Sequence, residues 1–468
     1  MEKKRYFFIG AGGIGMANLV RYFLSKGHAV GGYDRVRSDL SRRLEQEGAH
    51  IIYEDDPALI PEEFKDKADT EIVFTPAIPA DNHIITFYRE KGFEMHKRAW
   101  VLGEITRSLK GICVAGSHGK TTTSSMIAWI MAGTPGGCDA FLGGILRNVD
   151  SNLIITPGTE YAVVEADEYD RSFHQLSPWI ALITSADPDH LDIYGNEDNY
   201  LEAFSIFTSL IRPGGSLLLH TGLKVKPDLR EGVSLFTYSG EENPAEKPDW
   251  GAENITYKEG ELLFDLTGPD GYRIEGISLG VPVSINIDNA VAAGAAAMLA
   301  GATKEEIRKG LESFKGAKRR FEILLRGEKD GARAVLIDDY AHSPAEIEAS
   351  IKSLRKLYPG KKLTVVFQPH LYSRTRDFAP EFAEALSHAD NTILTEIYPA
   401  RELPIPGVTS RIILDRMTGD AALIERKDLL NKIKITNFEV LITLGAADLD
   451  VLLPEISEAL KRDVEVIH

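Results

Sequence analysis

Short apolar runs that alternate with amphipathic stretches of helical length constrain the fold of this chain more than any other feature. Such runs lie at residues 6–9, 72–74, 162–164 and 363–367, where aromatic and aliphatic side chains follow one another over the length of a buried strand. Strands separated by helices usually pair in parallel, because the helix carries the chain back across the sheet. We therefore predict an α/β protein with mainly parallel sheets.

The length of the chain implies more than one domain. With 468 residues, the chain exceeds the size that one hydrophobic core usually serves, so two or three domains are expected. One boundary precedes a new strand-loop-helix unit at Gly111, and another follows two helices predicted over 289–300 and 304–314. The predicted domains are 1–107, 108–318 and 319–468.

Composition and charge exclude some classes of function. The formal net charge of −17 argues against nucleic acid or an anionic membrane as the main partner, since either would favour a basic surface. The two cysteines, Cys113 and Cys138, have neither metal-ligand spacing nor the pattern of a disulfide framework. No apolar run reaches the roughly 18 residues of a membrane span, and no secretion signal precedes the first strand pattern. We expect a cytoplasmic enzyme.

A glycine-rich loop follows the first predicted strand. Residues 10–15 read Gly-Ala-Gly-Gly-Ile-Gly, a helix is predicted to begin at Met16, and Asp34 ends the next strand. Glycines let the backbone approach a diphosphate, whose negative charge is favoured at the amino end of a helix. The pattern predicts a nucleotide-diphosphate site. It does not distinguish NAD from UDP, and a tight turn without a ligand is the alternative.

A second loop, at residues 115–123, has the composition of a phosphate-binding loop. It reads Ala-Gly-Ser-His-Gly-Lys-Thr-Thr-Thr and follows an apolar strand at 112–114. Backbone amides around the glycines would cradle the β-phosphate of ATP, Lys120 would neutralise the β and γ oxygens, and the Thr121 hydroxyl would complete a magnesium shell. The usual pattern has a glycine where this chain has Val114, so the loop is a shortened variant.

Acidic residues follow two neighbouring strands of the same region. A strand at 161–164 ends in Glu-Ala-Asp-Glu, and a strand at 181–184 leads into Asp-Pro-Asp-His at 187–190. Open α/β sheets bind ligands at the carboxyl ends of their strands, and carboxylate oxygens suit Mg²⁺. We predict Glu165 and His190 as metal ligands and expect the other acids to be solvated or to cap helices.

Three polar segments mark the last predicted domain. They are Lys-Arg-Arg-Phe at 318–321, Asp-Asp-Tyr-Ala-His-Ser-Pro at 338–344 and Gln-Pro-His-Leu-Tyr-Ser-Arg-Thr-Arg-Asp at 368–377. The second and third each follow a strand-like run, which places them at the carboxyl edge of a sheet. Arginine forks suit carboxylates and phosphates, although a lone arginine or histidine on such a loop is more often a surface or packing residue.

Together these motifs resemble those of the Mur ligases, and most of all those of the branch of that family that adds L-alanine. Besides the glycine-rich loop, the resemblance rests on the strings GSHGKTTT, VEADEYDRSF, ITSADPDHLDIYG, RRFE, DDYAHSP and FQPHLYSRTRDF. It extends from the first strand to Gly445 and so covers nearly the whole chain. The resemblance implies an N-terminal Rossmann-like domain that binds UDP, a central P-loop-type ATPase with a mainly parallel sheet, and a C-terminal Rossmann-like domain that helps to bind ATP and the amino acid.

The activity implied by this resemblance is the ATP-dependent ligation of L-alanine to UDP-N-acetylmuramate through an acyl phosphate, giving ADP and phosphate. This is a step of peptidoglycan precursor synthesis, and hence of cell-wall biogenesis, cell shape and cell division. Mg²⁺ is the implied metal, and either a monomer or a homodimer is compatible with the sequence. Alternatives are a recycling ligase that attaches a tripeptide to the same sugar nucleotide, an NAD-dependent dehydrogenase, and a nucleotide sensor without turnover. The dehydrogenase would leave the second loop unexplained.

The resemblance also implies roles for individual residues. UDP-N-acetylmuramate is expected to lie near Gly12, Gly13, Ile14, Gly15, Asp34, Thr75, Ala77 and Arg98. ATP is expected to lie near Gly116, Ser117, His118, Gly119, Lys120, Thr121, Thr122, Asn286, Asn289, Arg320 and Asp339. The implied alanine site is Tyr340, His342, His370 and Arg374, and the implied metal ligands are Thr121, Glu165 and His190. The expected catalytic residues are Lys120, Glu165, His190 and His342, of which His342 either accepts the amine proton or only orients the amine.

Three departures from the usual family pattern bear on these roles. The adenine motif commonly reads His-Asn-x-x-Asn, but Ile285 stands in place of the histidine. Leu371 stands where many relatives carry an arginine, so either Arg374 contributes more to binding the alanine carboxylate or another group substitutes for the arginine. Later-acting members carry a modified lysine after the Asp-His pair, and no lysine occurs between Leu191 and Gly222, which favours the alanine-adding branch.

Overall fold

The computed structural model describes residues 4–75, 78–79, 81–188, 191–258, 260–329, 332–400, 402–436, 438–446, 448–461 and 465–466. It contains three sheets whose strands are mostly parallel, with helices between them, so the predicted α/β class is confirmed. The chain forms two compact units. The first comprises the chain up to Gly251 together with Thr267–Tyr272 and Asn289–Gly310, and the second comprises Ala252–Leu266, Arg273–Asp288 and everything from Leu311 onward.

The first sheet has five parallel strands in the order β3-β2-β1-β4-β5. Its strands are β1 (Arg5–Ile9), β2 (Ala29–Tyr33), β3 (His50–Ile52), β4 (Thr70–Phe74) and β5 (Met95–Lys97). Its helices are α1 (Ile14–Ser25), α2 (Asp39–Gln46), α3 (His83–Glu90) and α4 (Arg98–Ser108). Phe7 and Phe8 are both fully buried on opposite faces of β1, as expected for a central strand with helices on each side. The strand order reverses at β1, and the loop at 10–15 follows that strand.

The second sheet begins in the first unit. Its elements there are β6 (Lys110–Ala115), α5 (Lys120–Ala132), β7 (Asp139–Leu146), β8 (Ser151–Ile154), β9 (Tyr161–Glu165), β10 (Ile180–Ile183), α6 (Leu191–Tyr194), α7 (Glu197–Ser209), β11 (Ser216–His220) and β12 (Ser234–Ser239). The strand order is β12-β11-β10-β6-β9-β7-β8, and only the β7–β8 pair is antiparallel among these. The predicted strand-loop-helix unit at Gly111 is therefore β6 and α5, and β9 and β10 flank β6.

The chain then continues through β13 (Trp250–Lys258), β14 (Glu261–Thr267), β15 (Arg273–Ser278), α8 (Ile285–Leu299) and α9 (Lys304–Ser313). Within the second unit, β13, β14 and β15 are neighbours in sequence order. The two helices predicted over 289–300 and 304–314 are α8, which begins four residues earlier than expected, and α9.

The third sheet lies in the second unit and has seven strands in the order β20-β19-β18-β21-β17-β16-β22. Its strands are β16 (Glu322–Lys329), β17 (Ala332–Asp339), β18 (Leu363–Phe367), β19 (Asn391–Leu394), β20 (Asp420–Leu423), β21 (Val440–Leu444) and β22 (Glu465–Val466). Its helices are α10 (Pro344–Leu357), α11 (Tyr372–Asp377), α12 (Ala379–Leu386), α13 (Arg411–Leu414), α14 (Leu429–Ile435) and α15 (Leu453–Lys461). Only β16 pairs antiparallel, with β17 and β22, so the carboxyl ends of β17, β21 and β18 share one edge.

Helix α10 begins with a side-chain cap. The Ser343 side chain accepts a hydrogen bond from the Glu346 amide, and the Glu346 carboxylate accepts one from the Ser343 amide. Together these two bonds make a capping box at the start of α10. None of the described helices combines the length and the apolar character that a bilayer span requires.

Candidate nucleotide and substrate sites

The glycine-rich loop after β1 packs tightly against its neighbours. The amide of Gly12 donates to Oδ2 of Asp34 at 2.7 Å, and Oδ1 of the same carboxylate accepts from the Val36 amide at 3.0 Å. A Cβ on Gly12 would lie 2.9 Å from Oδ2 of Asp34, so a larger residue there would force the Asp34 side chain to move. Asp34 follows β2, where the sequence predicted it, and in this structure it fixes the shape of the loop.

Two further predicted substrate residues border the same loop. A Cβ on Gly15 would lie 2.7 Å from Cζ of Arg98, and a Cβ on Gly10 would lie 2.5 Å from Cγ2 of Thr75. Burial lowers the pKa of Arg98, although Asp167 and Glu165 act in the opposite direction. The loop, Asp34, Thr75 and Arg98 are thus brought together, whereas Ala77 lies outside the described residues.

The phosphate loop between β6 and α5 requires glycine at two positions. Gly116 has a φ of +139° and Gly119 a φ of +81°, both in the left-handed region that side chains disfavour. A Cβ at Gly116 would lie 2.2 Å from Oγ1 of Thr184, which follows β10. The His118 amide donates to Oγ of Ser185 at 2.7 Å, so the strand end next to β6 shapes this loop. Gly119 caps α5, and the amino end of that helix faces the loop as anion binding requires.

Lys120, the first residue of α5, folds back over the loop. Its Nζ donates to the carbonyl oxygen of Gly116 and, at 2.9 Å, to Oε1 of Glu168. The Lys120 side chain is 15% exposed and the Glu168 side chain 2%. The sequence predicted Lys120 but counted Glu168 among the solvated acids. Its position gave no clear signal, because β9 ends three residues earlier, at Glu165.

Thr121 and Glu165 form the part of this site that could hold a metal. The Thr121 hydroxyl donates to Oε1 of Glu165 at 3.0 Å, and the Gly143 amide donates to Oε2 at 3.0 Å. Burial raises the pKa of Glu165, and the hydrogen bond from Thr121 and the charge of Lys120 oppose that shift. A hydroxyl beside a carboxylate is a ligand pair that fits Mg²⁺. His190, the other predicted ligand, lies outside the described residues.

The remaining residues predicted near ATP lie in or beside helical segments. In the first unit, Ser117 donates to the Asp187 carbonyl at 2.6 Å, and Oδ1 of the buried Asn289 accepts from the Thr123 hydroxyl at 2.9 Å. In the second unit, Nδ2 of Asn286 donates to the Val281 carbonyl at 3.2 Å. The role of Thr122 at the ATP site stays a prediction.

In the second unit, two acids at the end of β17 lie among arginines. Asp339 is buried and accepts a hydrogen bond from the Ser350 hydroxyl at 2.5 Å, and burial raises its pKa while the charge of Arg320 opposes the rise. Asp338 accepts from Nε of Arg319 at 3.3 Å, and burial raises its pKa to about 6. The sequence predicted Arg320 and Asp339. It gave no role to the Arg319–Asp338 pair.

The predicted alanine residues of the second unit occupy the same edge of the third sheet. The Tyr340 and His342 rings meet edge to face with centroids 5.3 Å apart, and Nδ1 of His342 lies 3.0 Å from the Tyr340 carbonyl oxygen. The His370 ring stacks on Tyr398 at 5.9 Å. Burial lowers the pKa of His370, and the nearby charges of Arg374 and His342 act in the same direction.

Arg374 lies on α11 and is partly buried. No acid pairs with its guanidinium group among the residues that the structure describes. Asp377, the nearest acid in sequence, instead accepts from Nε of Arg376 at 2.7 Å. Leu371, just before α11, has a φ of +70° and a ψ of 134°, a backbone conformation that costs an ordinary residue about 1 to 3 kcal/mol.

One other cluster in the described part of the chain has metal-ligand chemistry. Glu71, Glu94 and His96 bring their ligand atoms within 4.8 Å of one another. However, Glu71 already pairs with Lys4 at 2.8 Å and with His96 at 3.2 Å, which accounts for the cluster as an ion-pair network.

Comparison with known families gives three matches along the chain. The models are the Mur ligase family catalytic domain at residues 5–110, the Mur ligase middle domain at 114–297 and the Mur ligase glutamate ligase domain at 319–450.

Comparison with individual proteins gives relatives of nearly the same length. The chain is 52% identical over 461 residues to the UDP-N-acetylmuramate–L-alanine ligase of Phocaeicola vulgatus, with 98% of both chains covered. It is 49% identical over 460 residues to the protein of the same name from Porphyromonas gingivalis, with 98% and 99% covered. Among solved structures, the UDP-N-acetylmuramate-alanine ligase of Thermotoga maritima matches with a TM-score of 0.77 at 25% identity, covering 98% of this chain and 99% of that one. A murein peptide ligase from Psychrobacter arcticus matches with a TM-score of 0.61 at 21% identity and 98% coverage of both, a level that shows the shared fold alone.

Proposed function

The chain belongs to the Mur ligase family, and we propose on that basis that it joins L-alanine to UDP-N-acetylmuramate with the conversion of ATP to ADP and phosphate. The observation that carries this function is the 52% identity to an L-alanine ligase over 98% of both chains. The product is a peptidoglycan precursor, and the protein is a ligase that forms a carbon–nitrogen bond. We place this reaction in the cytoplasm.

The reaction requires activation of a carboxylate. An oxygen of the lactyl carboxylate attacks the γ-phosphorus of ATP, ADP leaves, and an acyl phosphate results. The amine of L-alanine then attacks the acyl carbon, phosphate leaves, and the amine proton passes to a base. Lys120 would offset charge on the β and γ oxygens in the first step, a kind of stabilisation worth about 3 to 4 kcal/mol for one contact.

The residues around Lys120 suit a nucleotide with its metal. We infer that Thr121 and Glu165 hold Mg²⁺ together with His190. When bound, Mg²⁺ supplies positive charge to the phosphate oxygens. The hydrogen bond of 3.0 Å between Thr121 and Glu165 supports this assignment, because it keeps a hydroxyl and a carboxylate side by side at the start of α5. The loop from Gly116 to Gly119 would bind the phosphates through its amides. Thr122, Asn286, Asn289, Arg320 and Asp339 are proposed to complete the ATP site.

The alanine would bind in the second unit. We propose Arg374 for its carboxylate and Tyr340, His342 and His370 for its surroundings, with His342 as the candidate proton acceptor. Support comes from the partly buried guanidinium group of Arg374, which no described acid neutralises. The sugar nucleotide would bind at the loop of residues 10–15, with Asp34, Thr75, Ala77 and Arg98 around it. We keep 1–107, 108–318 and 319–468 as the proposed domains.

A recycling ligase for a tripeptide is not favoured. The curated relatives at 49% to 52% identity carry the name of the L-alanine ligase, whereas the murein peptide ligase structure matches at 21%. A dehydrogenase is excluded by the family, and a sensor without turnover has no support among these relatives.

The test is phosphate release by the purified protein with ATP, Mg²⁺ and UDP-N-acetylmuramate. L-alanine, glycine, L-serine and the tripeptide are supplied one at a time. Release that depends on L-alanine, with the ligated product identified by mass, is the expected result. Release with the tripeptide and not with L-alanine would establish the recycling activity instead.

A further inference from the structure

A buried carboxylate outside the proposed chemistry lies against the phosphate-loop lysine, and we propose that this residue, Glu168, positions Lys120 for the phosphates of ATP. The inference rests on the proposed ATP-dependent function. It assigns to Glu168 a role that acts through Lys120 and not through the metal or the substrate.

The Lys120–Glu168 pair differs from a surface salt bridge. Nζ of Lys120 lies 2.9 Å from Oε1 of Glu168, and the Glu168 side chain is 2% exposed. For comparison, Lys110 pairs with Glu160 at 3.0 Å in the same unit, but those side chains are 40% and 73% exposed. An exposed pair contributes little because water and salt screen it, whereas a charge left unpaired in a buried position is costly. Lys120 is therefore held firmly where it is.

The position in which Lys120 is held is the phosphate loop itself. An ammonium group has three hydrogens to donate. One goes to the Gly116 carbonyl and one to Glu168, while the Ser117 carbonyl at 3.5 Å is only a marginal acceptor. One N–H thus stays available to a phosphate oxygen in the loop. A lysine that is ordered before ATP binds does not lose its side-chain freedom in the binding step.

The side chain of Glu168 depends on Lys120 for its hydrogen bond. Its second carboxylate oxygen, Oε2, is buried and has no hydrogen-bond partner in the described structure. Its backbone carbonyl accepts from the Tyr194 hydroxyl and from the Arg171 amide, which fixes the backbone from which the side chain extends. The backbone of Glu168 is thus held by two hydrogen bonds, and its side chain accepts from Lys120.

The two acids after β9 therefore have separate partners. Glu165 accepts from the Thr121 hydroxyl and the Gly143 amide, while the side chain of Glu168 accepts from Lys120. Glu165 lies beside Thr121, whose hydroxyl is proposed to bind the metal. Glu168 lies beside Lys120, which is proposed to bind the phosphates.

A double-mutant cycle tests this role, because two residues that act as one unit do not give additive effects. The variants are Glu168→Gln, Lys120→Ala and the double variant, with Glu160→Gln as the matched exposed control. Calorimetry measures the Kd for ATP in the presence of Mg²⁺, and phosphate release with UDP-N-acetylmuramate and L-alanine measures turnover. Lys120→Gln replaces Lys120→Ala if the alanine variant does not fold, since an amide can still donate to Glu168.

We expect Glu168→Gln to raise the Kd for ATP about 10-fold or more in the native background and less than about 2-fold in the Lys120 variants. The Glu160→Gln control should leave both measurements unchanged. Equal weakening in both backgrounds or an unchanged Kd in the native background would overturn the positioning role. A Mg²⁺ titration that Glu168→Gln shifts when Lys120 is already replaced would overturn it as well. Because ATP binding is measured directly, the cycle gives its answer even if L-alanine proves not to be the substrate.

Discussion

The hydroxyl of Thr121 lies 3.0 Å from Oε1 of Glu165, which joins the first turn of α5 to the carboxyl end of β9. β9 pairs with β6 in parallel, and the phosphate loop connects β6 to α5. The hydrogen bond therefore links the helix that follows the loop to the strand beside the one that precedes it. Because one partner is a hydroxyl and the other a carboxylate, both oxygens can turn to a divalent cation with little movement.

Replacement of Glu165 is expected to weaken the response to Mg²⁺. Glu165→Gln keeps the volume of the side chain but removes its charge, so the Mg²⁺ concentration for half-maximal turnover should rise about 10-fold to 100-fold. His190→Ala should act in the same direction. Turnover measured over a Mg²⁺ series at saturating ATP gives the result, and the exposed Glu160→Gln variant is the control. If both site variants titrate like the native protein, the metal site lies elsewhere.

Lys120→Ala is expected to lower turnover at least about 100-fold while it leaves the affinity for UDP-N-acetylmuramate nearly intact. The reason is that the lysine is proposed to bind the phosphates of ATP, whereas the sugar nucleotide is proposed to bind at the loop of residues 10–15. The substitution also leaves Glu168 as a buried acid without its partner, so a thermal melt must accompany the kinetics.

The matched variant for this experiment is Lys120→Ala combined with Glu168→Gln, which removes the stranded charge. Should it regain the melting temperature but not the turnover, the loss belongs to catalysis and not to folding. Turnover within tenfold of the native protein in the single variant would remove Lys120 from the proposed site.

Much of the fold follows from apolar patterning. The run at 363–367 is the strand β18 to the residue, because five successive buried positions leave little choice between strand and loop. Helix starts were less certain, and α1 begins at Ile14 and not at Met16, since the glycine loop already turns into the helix. The order of strands within each sheet was not predictable, because it depends on long-range pairing.

The site was predictable where a residue type in a given motif has a single common role. A lysine and a threonine that follow a glycine-rich loop predict binding of phosphate and of its metal. Glu168 was not predictable, because its burial depends on the turn that follows, in which Asp170 and Arg171 both have a φ above +50°. Which arginine of α11 pairs with Asp377 was not predictable either, and in the structure Nε of Arg376 donates to that carboxylate.

Asp338 is expected to make stability depend on pH. Its pKa in the folded protein is raised to about 6 by burial from an ordinary value of 3.8, so between these values the folded state holds a proton that the unfolded state has lost. Stability therefore falls as pH rises through this interval, by at most about 3 kcal/mol at about 1.4 kcal/mol per pKa unit. Above about pH 6, the contribution of Asp338 no longer changes.

The variant that checks this is Asp338→Asn, followed by thermal melts from pH 4 to 7. The difference in melting temperature between the variant and the native protein should shift in favour of the variant as the pH rises to about 6, since the amide does not ionise. Asp390→Asn is the contrast, because the hydrogen bond from Arg355 lowers the pKa of that acid. A constant difference for Asp338→Asn across this range would contradict the raised pKa.

Arg374 is expected to determine the affinity for L-alanine. Its guanidinium group is partly buried on α11, and no described acid neutralises it. Loss of one side of a buried charge-assisted pair costs about 2 to 5 kcal/mol, so Arg374→Ala should raise the KM for L-alanine about 30-fold or more. Arg374→Lys should recover only part of this, because an ammonium group cannot form two parallel hydrogen bonds to a carboxylate.

Arg376 provides the matched control for that experiment. It lies two residues further along the same helix, is exposed, and pairs with Asp377 at 2.7 Å. Arg376→Ala should therefore leave the KM for L-alanine unchanged, because the Arg376 side chain is exposed and already paired with Asp377. Loss of such an exposed pair should also change stability little. L-alanine is varied at saturating ATP and UDP-N-acetylmuramate, and a melt of each variant establishes that it is folded. An Arg374→Ala protein that is folded and keeps the native KM would show that the alanine carboxylate is bound by another residue, and the free guanidinium group would then need a different anion.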